Sequence, residues 1–106
     1  MREQFVMLEG VVGSDAQGFS VHRHHTGVGP DRYLACIGLR DGSKLIWQEI
    51  EMTSDVATRS SDILVSGNIV RVFGLLQKQL GLPAYRVQAD AVELLHGATI
   101  ALRNAA

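Results

Sequence analysis

The chain has 106 residues, 46% of them apolar, with ten Lys and Arg against eleven Asp and Glu and a formal net charge of -1. That length suits one domain with a modest core, the near-neutral balance excludes a molecule drawn onto polyanions by its overall field, and no run approaches the roughly 18 to 20 consecutive apolar residues that cross a bilayer. The opening Met1-Arg2-Glu3-Gln4 lacks the basic-then-apolar pattern of a secretory signal, so a cytoplasmic protein is expected.

Short strand-like runs alternate with turn signals along the whole chain. Phe5 to Val12 is an apolar run closed by the turn cluster Gly13-Ser14-Asp15. Phe19 to His25 alternates, with Phe19 and Val21 on one side and Ser20, His22 and His24 on the other, which predicts a half-buried strand. Thr26 to Asp31 breaks it. Tyr33 to Leu39 is the next strand, Arg40-Asp41-Gly42-Ser43-Lys44 predicts a tight hairpin because Asp-Gly readily takes positive φ, and Leu45 to Met52 returns. Cys36 lies in the apolar run before that hairpin and is expected to be buried and inert, with no cysteine to pair with.

From Thr53 to Leu64 the pattern changes: Thr53 or Ser54 can cap a helix, Asp55 suits its first turn, and Val56, Ala57, Ile63 and Leu64 give a weak apolar face. After Val65-Ser66-Gly67-Asn68, the segment Ile69 to Leu76 places Val70, Val72 and Leu76 on one face and Arg71 and Phe73 on the other. Gln79 to Pro83 is a loop. Tyr85 to Leu95 is the last strand, with an irregularity near Asp90 and Ala91, because Val87 and Ala89 share a face with Val92 and Leu94 only after a slip in parity. The order predicts a mainly β protein, a five-stranded OB-type Greek-key barrel with one short helix between its third and fourth strands, spanning 1–96 with a short C-terminal tail at 97–106.

Several segments in this order resemble the bacterial single-stranded DNA-binding protein family, most of all its short primosomal branch. Val6-Met7-Leu8-Glu9-Gly10-Val11-Val12 is similar to the family's opening strand, Ala35-Cys36-Ile37-Gly38-Leu39 to its second, and Ile46-Trp47-Gln48-Glu49-Ile50 to a third strand carrying a tryptophan. Leu64-Val65-Ser66-Gly67-Asn68-Ile69-Val70-Arg71-Val72-Phe73-Gly74 and Tyr85 to Leu95 resemble the last two. The likeness implies a protein of replication, replication restart or recombination that binds single-stranded DNA, forms a homodimer or homotetramer built partly on the first strand, and meets other replication or restart proteins. Two departures stand out: the hairpin between the second and third family strands has shrunk to Asp41-Gly42-Ser43-Lys44, and the ending Ala101-Leu102-Arg103-Asn104-Ala105-Ala106 does not match the family's acidic tail.

Trp47 is the foremost candidate binding residue. Parity sets Ile46, Ile50 and Met52 on one side and Leu45, Trp47, Glu49 and Glu51 on the other, so the acid-rich side should carry an outward indole, suited either to stacking on a base or to packing under a loop or subunit. Phe73 and Arg71 are expected to adjoin it across the barrel wall as a stacking and phosphate-binding patch, the alternative being a dimer contact for Phe73 and a pairing of Arg71 with Glu49 or Glu51. Lys78, Tyr85 and Arg86 flank the last loop, and Arg40 and Lys44 the hairpin, where an OB barrel commonly meets ligand. His22, His24 and His25 invite a metal, but four ligands are not in reach, and no metal or other cofactor is expected. No phosphate loop, nucleophile elbow or His-Glu-x-x-His stands in the chain, so an enzyme is not expected. A protein-binding adaptor that has lost DNA binding is the competing reading, favoured by the net charge and the short hairpin.

Overall fold

The computed structural model describes residues 4–25 and 27–97. Residues 98–106, most of the expected tail, lie outside the described residues. The elements run β1 (Gln4–Val12), β2 (His22–His24), β3 (Arg32–Asp41), β4 (Lys44–Met52), α1 (Ser54–Arg59), β5 (Ile69–Lys78) and β6 (Tyr85–His96). The sheet order is β1-β5-β6-β4-β3-β2, and a second pairing of β1 with β3 closes it. The result is the five-stranded OB barrel the sequence predicts, with β2 added outside the ring as a three-residue edge strand on β3.

Alternation explains the core. Val12, Ile37, Ile50, Met52, Val70, Val72 and Val87 are fully buried inside the ring, each drawn from the inward parity of its strand. The cap below is α1 and the turn after it. Thr53 Oγ1 accepts from the Val56 amide at 3.4 Å, and Val56 and Leu64 turn inward under the barrel. The helix is shorter than the expected span to Leu64. Ser61 Oγ donates to the Thr58 carbonyl and the Ile63 and Leu64 amides both return to the Ser60 carbonyl, so serines divert the backbone into a turn.

Three sequence expectations need correction. Phe19 to His25 is not one strand: only His22–His24 pairs with β3, and Phe19 is exposed. Asp15 overrides the alternation, its Oδ1 accepting from the Gln17 and Phe19 amides at 2.9 Å each and its own amide donating to the Phe19 carbonyl. Cys36 is exposed, because inward Ala35 and Ile37 leave it on the outer parity. Ile46 keeps its predicted side but is 51% exposed, since the β3–β4 hairpin runs past the end of the barrel there and has no core to cover it.

The ring closes through close backbone approaches. β1 pairs with β5 from Gln4 to Val11 and reaches β3 only at Val11 and Val12, which face Gly38 and Ile37. A Cβ on Gly10 would stand well inside contact distance of the Gly38 carbonyl oxygen, so this crossing needs a bare residue. On the far side, Phe73 faces Ala91 and Gly74 faces Ala89, leaving Asp90 as the extra residue of a bulge at the position the parity slip marks. A Cβ on Gly74 would collide with the Gln88 carbonyl beside that bulge. Gly74→Ala must therefore displace main chain and should cost about 2 kcal/mol or more, lowering the thermal midpoint by on the order of 10 °C. A melt matching the wild type would contradict this packing.

Candidate nucleic-acid interface

The outer faces of β3 and β4 form the wall that carries Trp47. Cross-strand partners Leu34 and Glu51, Cys36 and Glu49, Gly38 and Trp47, and Arg40 and Leu45 all point outward there. The indole lies over two glycines. A Cβ on Gly13 would come within 2.7 Å of Trp47 Cζ3 and one on Gly38 within 2.9 Å of the same atom, so the six-membered ring rests on bare backbone. With 53% of the residue still exposed, the ring is seated from below and open above.

The loop that Asp15 shapes folds over this wall and makes a cleft of about 380 Å³. Trp47 and Phe19 are its aromatic sides, Leu34, Ala35, Cys36 and Glu49 its floor, and Asp15 and His22 line it with Ser14 and Ser20. His22 Nε2 is 3.4 Å from Asp15 Oδ2, tying β2 to the loop. Although Cys36 is open at the surface, desolvation by the surrounding walls and then the Glu49 carboxylate opposite raise its thiol pKa. The thiolate is disfavoured, and with it nucleophilic reactivity.

Charge is distributed in two internal networks. Arg86 on β6 donates through Nε and Nη2 to Glu49 Oε1 and through Nη1 to Glu51 Oε2 at 3.1 Å, while Arg32 Nε meets Glu51 Oε1 at 2.9 Å. These ties brace the short parallel seam where Ile50 and Glu51 face Val87 and Gln88. On the opposite wall Arg71 is held by Glu9 at 2.7 Å and by Glu93 at 3.8 Å. Arg71 and Arg86 thus serve carboxylates of their own chain, and the partner of Arg71 is Glu9 rather than Glu49 or Glu51. Among the described residues Arg40, Lys44 and Lys78 stand outside these ion pairs; Arg40 shares the outward face of Trp47, Lys44 sits at the hairpin tip, and Lys78 faces Tyr85 at the mouth of the β5–β6 hairpin. Gln48 Nε2 donates to the Tyr85 carbonyl at 3.2 Å, joining that mouth to β4.

The expected patch of Trp47 with Phe73 and Arg71 is not formed. β5 pairs with β1 and β6, whereas β4 pairs with β3 and β6, so Phe73 projects from the outer β1–β5–β6 wall beside Met7 and Ala91. Phe19 lines the cleft with Trp47; alternation groups it with Val21 on one side of a strand, and the available signal for a turn was Asp15 four residues earlier, followed by Gly18. His25 goes elsewhere: its Nδ1 lies 2.5 Å from Asp31 Oδ1, and Arg23 Nε is 3.5 Å from Asp31 Oδ2. Among the described residues no three metal-ligating side chains gather.

No known protein family matches the sequence, and no curated protein does. Solved structures do share the fold. A mitochondrial single-stranded DNA-binding protein of S. cerevisiae aligns with a TM-score of 0.73 at 14% identity, over 92% of this chain and 100% of that one. The second single-stranded DNA-binding protein of Mycobacterium smegmatis gives 0.67 at 18% identity, covering 88% and 89%. The N-terminal domain of the PriB protein of Thermoanaerobacter tencongensis, a dimeric structure, gives 0.66 at 16% identity, covering 88% and 97%. At these identities the likeness establishes the barrel.

The seat of the indole is testable by itself. Gly13→Ala adds a methyl whose nearest neighbours are all atoms of the Trp47 ring, so the ring should lift, giving red-shifted emission and readier quenching by acrylamide while stability falls by no more than about 1 kcal/mol. An unchanged emission spectrum would show that Trp47 does not rest there. Because the chain has one tryptophan, the signal is unambiguous.

Proposed function

We propose that this chain is a single-stranded DNA-binding protein of the primosomal type, acting in DNA replication, replication restart or recombination in the cytoplasm, and that the strand runs along the outer face of β3 and β4. The observation that carries this reading is the Trp47 indole, seated on Gly13 and Gly38 with its remaining surface open and Phe19 across the cleft. An aromatic plate held in this way stacks any base at about 1 to 3 kcal/mol without regard to sequence. Arg40 beside it and Lys44 at the tip supply phosphate contacts, and Lys78 and Tyr85 extend the track across the Gln48 bridge.

Quenching of Trp47 emission by an oligo-dT strand, and not by a duplex, is the expected result. Two phosphate contacts give a slope of log affinity against log salt of about -1.4, shallow as befits a chain without net positive charge. Trp47→Ala should weaken binding by about 1 to 3 kcal/mol at unchanged slope, while Arg40→Ala should flatten the slope by about 0.7. Arg71→Ala should leave both at wild-type values, because that side chain is held by Glu9 and Glu93 on another wall. If no strand is retained at about 50 mM salt, the adaptor reading replaces this one; its support is that Arg71 and Arg86 are engaged internally and the hairpin loop is two residues long.

The second part of the proposal is a homodimer. Among the described residues, 4–10 of β1 pair with β5 alone, so their other edge presents backbone groups without a strand partner, next to an outer wall where Phe5, Met7 and Phe73 are exposed. Pairing of that edge with a second copy would satisfy the backbone and cover the apolar wall together. Sedimentation at roughly tens of micromolar should give the mass of two chains. A monomer under those conditions would overturn the assembly.

A further inference from the structure

We propose that the cleft beside Trp47 is a pocket for one base and that it selects bases bearing an exocyclic amine, cytosine above all, over thymine or uracil; this rests on the single-strand reading above. A volume of about 380 Å³ falls in the range of sites that hold a small flat molecule. Its two aromatic walls, Trp47 and Phe19, suit a planar guest, and its floor of Leu34, Ala35 and Cys36 is largely apolar. Among the described residues no Lys or Arg lines it. Two carboxylates do, Asp15 and Glu49, so a phosphate is repelled from the place where a base is welcome.

The polar groups decide which base. A carboxylate only accepts hydrogen bonds, and it pairs with the N4 amine of cytosine, whereas the O4 of thymine or uracil is itself an acceptor and meets a carboxylate with repulsion. Glu49 is fixed for this purpose. Arg86 donates to it twice through Oε1, which anchors the carboxylate, and among the described residues no donor reaches Oε2. Asp15 is less available, since its Oδ1 already accepts two backbone amides and its Oδ2 faces His22. Glu49 Oε2 is therefore the atom that reads the amine, with the stacked ring held by Trp47 two residues before it on the same face.

The test compares decamers of deoxycytidine, deoxyuridine and thymidine on the full chain at about 50 mM salt, read by quenching of Trp47. Deoxyuridine isolates the amine from the thymine methyl, and both pyrimidines stack alike. The cytidine strand should bind about tenfold tighter than the deoxyuridine strand, and Glu49→Gln, whose amide can donate as well as accept, should bring that ratio close to one. Equal affinity of the wild type for cytidine and deoxyuridine strands overturns the base pocket and leaves the single-strand reading intact. Failure of all three strands to bind overturns both. Should Glu49→Gln not fold, the wild-type ratio alone decides.

Discussion

The close crossing of β1 over β3 is the constraint on which this molecule depends. β1 spends most of its length on β5 and turns to β3 only at its end, where a Cβ on Gly10 would strike the Gly38 carbonyl oxygen and one on Gly38 would meet the Val11 side chain and the Trp47 ring. That contact converts a sheet into a barrel, and the barrel is what buries Ile37 on one side of the crossing and Val12 on the other. Gly38 has a second consequence. The bare backbone that admits β1 on one flank leaves a flat place on the outer face, and Gly13, where β1 ends with its amide on the Cys36 carbonyl at 3.0 Å, widens it. Closure of the fold and the seat of Trp47 are one piece of geometry.

The charges follow a different logic. Four acids and three arginines meet on the outside of the barrel in two separate groups, Glu49 and Glu51 with Arg86 and Arg32, and Glu9 and Glu93 with Arg71. The first group braces a parallel seam that is only two residue pairs long. Partly exposed pairs of this kind contribute modestly to stability, but they hold side chains in place and cancel locally, which leaves the Trp47 face with few mobile charges. That face offers chiefly an aromatic plate, with Arg40 and Lys44 as its positive margin. This agrees with a chain whose acids outnumber its Lys and Arg by one.

Much of the fold is legible in the sequence because parity is local. The inward sets Val70 and Val72 or Ile50 and Met52, the slip at Asp90, and the outward turn of Trp47 all follow from alternation within a single strand. Adjacency between strands is not local: nothing in the segments themselves places β5 on the far side of the ring from β4, so Phe73 was expected beside Trp47. Side-chain capture of backbone also escapes alternation. Asp15 draws the amides of Gln17 and Phe19 onto its carboxylate, which takes Phe19 out of the predicted strand and makes it a wall of the cleft. Ile46 shows the same limit from another direction, since correct parity buries nothing where the hairpin extends past the core. Arginine partners such as Glu9 for Arg71, 62 residues apart in the chain, depend on the assembled barrel.

We propose a single strand on the β3–β4 face with a base against Trp47. Mapping the backbone amide shifts of the isotope-labelled protein during titration with a short single-stranded oligonucleotide at about 50 mM salt tests it most directly. Shifts should concentrate at residues 13–20, 34–40 and 44–49, together with the Trp47 indole N–H. Shifts confined to the wall of Phe5, Met7 and Phe73, or the absence of shifts anywhere, would contradict it.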